Sequence, residues 1–197
     1  MSQFRSEVIK LRTVRSHWVL WVIGLVFPYV ITSLVAVFAD EFEFRDPDLL
    51  VEVIAGVAVV SAMLFGVVAT LSITSEFAHQ TIRPTLVARP ARLSLLATKA
   101  ALVGLVGAVL GTVVAFGNFA VGAAILSGRG ASIGFGEPGV LAALAGSPAF
   151  YALVSLFGFA LGTCFRSSPA AIVTLVLWPL LVEGILALVL TVAGVDD

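Results

Sequence analysis

The sequence predicts an all-α integral membrane protein, a polytopic bundle of five transmembrane helices preceded by a short interfacial amphipathic helix. Three observations predict it. Of the 197 residues, 60% are hydrophobic and 12% charged, with a mean hydropathy of +1.13. A soluble domain carries roughly 25% charged residues, and a chain with so few could not clothe a water-facing exterior. The apolar residues gather into five runs, at 18–39, 51–74, 100–126, 148–165 and 169–195. None alternates as the strands of a membrane barrel do, and in lipid a helix satisfies every backbone amide within its own segment.

Residues 1–16 come first. Phe4, Val8, Leu11 and Val14 recur at spacings of three and four, with Arg5, Lys10, Arg12 and Arg15 among them. That pattern predicts an amphipathic helix lying in the membrane interface, its cations near lipid phosphates. The plainer alternative is a charge cluster without fixed structure. The 18–39 run exceeds the about 7–15 apolar residues of a signal peptide and lacks a small-x-small cleavage site, so it reads as a retained first helix. Trp18 and Trp21 would anchor its start.

A helix needs ~20 residues to cross ~30 Å of hydrocarbon. The runs at 51–74, 100–126 and 169–195 reach that length, and 148–165 can borrow from 140–146. Gly107–Gly111 and Gly158–Gly162 are small-xxx-small patterns that allow close helix approach. Pro28 and Pro179 favour kinks in the first and fifth helices. Asn118 either bonds across a helix interface or lines a substrate path. A charged Glu183 inside the last run would be costly in lipid, so it either faces a protein interior or wet cavity or reaches the outer interface beside Gly184. Glu183 and Asn118 are the candidates for a translocation pathway or intramembrane polar site.

Orientation follows from the cations. Arg5, Lys10, Arg12, Arg15, Arg83, Arg89, Arg92, Lys99 and Arg166 fall on one side, and Arg45 and Arg129 on the other. The positive-inside rule therefore places the N-terminus in the cytoplasm and, after five crossings, the end of this chain outside.

Chemistry within the chain is not expected. The single cysteine, Cys164, makes no disulfide, and His17 and His79 are too far apart for a structural zinc site. There is no phosphate-binding G-x-x-x-x-G-K-[ST] loop and no G-x-S-x-G elbow. The cations are too few and too spread to bind nucleic acid. No catalytic residue, bound cofactor or metal is predicted. An intramembrane enzyme would have Glu183 alone as its buried acid.

The one polar island between apolar runs spans 75–99. It carries Glu76, Phe77, His79, Thr81 and Arg83, then Pro84, Arg89, Pro90, Arg92 and Lys99. An elbow stiffened by two prolines, with acid, aromatic and base interleaved, suits the docking of another protein. Its order, Glu-aromatic-x-x-x-Thr-Ile-Arg followed by Pro90-x-Arg92 and Lys99, resembles the permease subunits of bacterial ATP-binding-cassette transporters of the type-2 exporter superfamily. Lys10-Leu11-Arg12-Thr13-x-Arg15-Ser16 and Trp178-Pro179-Leu180-x-x-Glu183 look like actinobacterial members. The chain departs at Gln80, where glycine or asparagine is commoner, and in having five helices where members usually have six. The sixth is expected to be missing by truncation, absent, or supplied by another polypeptide.

The resemblance implies a membrane-spanning, non-catalytic subunit of an ATP-driven exporter in the bacterial plasma membrane. It would pair with a second copy or a related permease and dock a cytoplasmic ATP-binding subunit, which holds the ATP and Mg. Glu76, Phe77, His79, Thr81, Arg83, Arg89 and Arg92, with the N-terminal helix, would form the coupling interface. The alternative is a non-transporting scaffold or assembly component of a larger membrane complex.

Overall fold

The computed structural model describes residues 15–38, 47–78, 92–130, 134–136 and 139–193. They form five helices: α1 Arg15–Phe38, α2 Pro47–Ala78, α3 Arg92–Gly128, α4 Val140–Phe165 and α5 Ser168–Ala193. There is no strand among the described residues. α1 to α4 are each long and apolar enough to cross a membrane, while the apolar stretch described in α5 is Ser168–Pro179. The predicted interfacial helix lies outside the described residues except for its last two, which belong to α1.

α2 and α3, with 32 and 37 residues, rise about 48 and 55 Å, well past the ~30 Å of hydrocarbon. α4 begins eight residues before the predicted run, at Val140, and continues through Pro148. Gly139, at φ 80°, starts it in the left-handed conformation that glycine adopts without strain. One proline in a packed membrane helix is tolerated, because neighbouring helices shelter the carbonyl it leaves free. α1 and α5 likewise run through Pro28 and Pro179.

α2 and α4 form the centre, side by side and parallel: Val51 faces Gly139, Gly66 faces Val154 and Gly158, and Ile73 faces Gly162. α3 lies antiparallel on α4, with Gly107 against Ser155 and Gly111 against Tyr151. Both small-xxx-small patterns are thus helix crossings. α1 packs on α2 and α3. Ser61 Oγ donates to Gly24 O at 2.6 Å, and the Tyr29 hydroxyl to Val113 O at 2.9 Å. α5 meets α4 and α2 through its first half, where Ala171 and Leu175 are buried.

Among the described residues the core is stacked in three layers. At one end Ile54, Ala115, Phe119, Val140 and Leu144 pack together. Ala58, Ala62, Phe65, Val114 and Tyr151 fill the middle. Ala69, Ile73, Val103 and Phe159 close the other end, with Phe77, Leu96 and Ala100 against them. That last end is called the basic end below. There Ser72, Thr74 and Ser75 of α2 donate back along their own helix, to Ala69 O, Thr70 O and Ser72 O, while the one Thr70 proton is shared between Gly66 O and, across the crossing, Gly158 O.

Candidate functional site

The polar island is narrower than its sequence suggested. α2 continues through Glu76 and Phe77 to Ala78, and α3 starts at Arg92, so Lys99 lies two turns inside a helix. His79, Thr81, Arg83 and Arg89 lie outside the described residues. Arg92 opens α3, and its side chain too is outside them.

What the structure brings together is the base of the island. Lys99 Nζ and Glu76 Oε1 stand 2.7 Å apart, with side chains only 7% and 9% exposed. Burial of a carboxylate requires a partner. It is the more necessary because Glu76 sits in the last turn of α2, where the helix dipole already opposes a negative charge. Lys99 supplies that partner from α3. Glu76 therefore points into the bundle rather than onto its surface.

Its neighbour Phe77 is held from another side. The Arg166 guanidinium lies over the Phe77 ring, 5.7 Å from the centroid, within the range of a cation–π contact. Arg166 ends α4 at φ 54° and ψ 17°, its N–H donating to Gly162 O at 3.1 Å. Just beyond, Ser168 Oγ donates to Thr74 Oγ1 at 2.7 Å, and Thr70 Oγ1 donates across to Gly158 O at 2.8 Å. α2, α3, α4 and α5 thus meet at one corner. No group of three His, Cys, Asp or Glu that could hold a metal occurs among the described residues. Among the described residues the corner holds four helices together through one ion pair, one cation–π contact and two hydroxyl bonds.

The intramembrane candidates are elsewhere. Asn118 is 1% exposed, and both its amide atoms lack a hydrogen-bond partner among the described residues; the Thr32 hydroxyl is in the same condition. α1 and α3 run parallel, with Tyr29 bonded to Val113 and packed on Gly117, and Arg129 Nη1 donating to Ala36 O at 2.8 Å. That register sets Thr32 and Asn118 at the same level. An amide buried without partners weakens a fold, so Asn118→Leu is expected to leave stability unchanged or raise it by about 1 kcal/mol. Chemical unfolding in micelles checks this, and a clear loss would mean that the amide is bonded. Glu183 lies on α5, its side chain outside the described residues.

A family profile described as ABC-2 family transporter protein matches residues 3–194, nearly the whole chain. The chain belongs to the ABC-2 transporter family. No curated protein and no solved structure shows a significant match to it. It is accordingly a multi-pass membrane permease subunit of an ABC transporter, of a class that is generally non-catalytic and associates with an ATP-binding subunit.

Two residues of the permease's basic end were given no site role by the sequence reading. Lys99 closed the polar island at the foot of the third helix, and Arg166 served only to set orientation. Lys99 did carry a signal, as a lone ammonium at the foot of a long apolar run, one loop away from Glu76. Arg166 carried none, since its contact with Phe77 depends on how the end of α4 meets α2.

Proposed function

We propose that this permease couples ATP hydrolysis in a separate cytoplasmic subunit to export across the bacterial plasma membrane. The observation that carries this reading is the buried Glu76–Lys99 pair. It ties the end of α2 to the first turns of α3, the two helices that residues 79–91 join in sequence. A segment so braced suits a surface that receives work. The basic end then faces the cytoplasm, as the distribution of cations requires, with the N-terminus inside and the end of this chain outside. ATP and Mg belong to the partner, which docks on a surface drawn from Glu76, Phe77, His79, Thr81, Arg83, Arg89 and Arg92. Two permeases pair in surrounding lipid, and Asn118 and Glu183 supply the polar points of the translocation path. ATP drives the cycle only by binding the inward and outward states with different affinity.

Affinity purification of the chain from its native membrane is the first test, with an ATP-binding subunit expected in stoichiometric amount. A stable complex without one would favour the scaffold reading. In the reconstituted complex, Arg83→Ala is expected to lower ATP turnover about 5- to 20-fold while the helical content holds. Wild-type turnover in that variant would remove Arg83 from the coupling surface.

A further inference from the structure

We propose that Arg166 and Lys99 are positioning residues for the segment between α2 and α3. They clamp the last turn of α2 from two sides, so that a displacement of the segment is delivered to α2, α3 and α4 together. The inference rests on reading that segment as the coupling element, and it assigns the work of transmission to two residues that need not touch the partner.

The backbone of Arg166 carries the first part of the argument. It is the one non-glycine residue with positive φ among the described residues, at 54°. Glycine takes that conformation freely at a helix end, whereas an L side chain is strained there. The side chain held in this strained position is the one that covers Phe77. Phe77 is in turn half-buried against the layer of Ala69, Ile73, Val103 and Phe159, which draws on α2, α3 and α4. The Ser168–Thr74 bond ties the same α4–α5 turn to α2 one turn deeper.

Lys99 carries the second part. Glu76 and Phe77 are adjacent, so their side chains leave α2 in different directions around the helix. One is taken by a cation from α3 and the other by a cation from the end of α4. With both held, the last turn of α2 cannot rotate or tilt without carrying its neighbours. The α1 bonds among the described residues lie in the body of the bundle, where Ser61 donates to Gly24 O and Tyr29 to Val113 O.

The test uses the full chain with its co-purifying ATP-binding subunit in nanodiscs, on a Cys164→Ser background with Ser127→Cys as reporter. Ser127 is exposed at the end of α3 opposite the clamp. The rate of maleimide labelling is compared without nucleotide and with a non-hydrolysable ATP analogue. Arg166→Gly is expected to keep subunit affinity and melting temperature while the nucleotide-dependent change in labelling falls about 5- to 20-fold. Arg166→Asn, which tolerates the same backbone but has no cation, gives the same readout should the glycine variant fold poorly. Lys99→Glu is expected to lose the response, and exchange of the pair in Glu76→Lys/Lys99→Glu to restore much of it.

An unaltered nucleotide response in both Arg166 variants overturns the proposal. So does loss of subunit binding, because the guanidinium would then belong to the docking surface. A wild-type chain that binds no ATP-binding subunit sinks the coupling reading itself.

Discussion

Gly158→Ala is expected to lower the melting temperature of the permease by roughly 6–12 °C, the consequence of about 3 kcal/mol of overpacking. A Cβ at this position would collide with the Gly66 carbonyl oxygen and lie 2.9 Å from the Gly66 carbonyl carbon and 3.0 Å from Thr70 Oγ1. The obstacle is mainly backbone, which cannot swing aside as a side-chain tip can. Gly66 has no slack either, since its own Cβ would meet Leu175 at 3.0 Å and Val154 at 3.1 Å. Moving the helices apart would also stretch the bond from Thr70 to Gly158 O. Lipid supplies no hydrophobic drive between helices, so close packing and interhelical bonds are what hold α2 to α4. Gly56→Ala is the control. Nothing lies within 4 Å of a Cβ there, and alanine at an open helix position is expected to gain about 0.5–1 kcal/mol. Thermal unfolding in micelles reads both, and equal melting of the two variants would mean that the α2–α4 crossing is looser than described.

Lys99→Met is the second large effect. It leaves the Glu76 carboxylate buried at the dipole-opposed end of α2 without its ammonium, and is expected to destabilise the fold by about 3–5 kcal/mol. Replacing both charges tells a different story. Glu76→Met/Lys99→Met removes the desolvation of two ions along with their attraction, so its stability is expected within about 1 kcal/mol of wild type, or above it. The double variant therefore separates holding the fold from doing work. With the partner bound, its ATP turnover is expected to fall although its melting temperature does not. A stable double variant with wild-type turnover would make the pair a dispensable packing element.

Much of the architecture was legible because lipid leaves so few options. Long apolar runs between polar loops imply helices, and the paired glycines at 107/111 and 158/162 marked the α3–α4 and α2–α4 crossings that the structure contains. The start of α4 was harder. Pro148 read as a boundary, but the helix begins at Val140 because a proline's lost bond is sheltered within a packed bundle. The family was readable from the order of residues at 76–83. The inward turn of Glu76 was not, since which way a side chain points at a helix end depends on the neighbour that meets it. Asn118 was readable as polar and buried; that it stands level with Thr32 depends on the register of α1 against α3.

The hydroxyls of Thr70, Ser72, Thr74 and Ser75 give α2 a property that its length conceals. Each takes a share of a carbonyl that otherwise serves only the helix ladder, which weakens the ladder locally and lets the axis curve. A bend in α2 therefore costs least over these residues, between its apolar middle and the held last turn, and α3 and α4 are packed against that stretch.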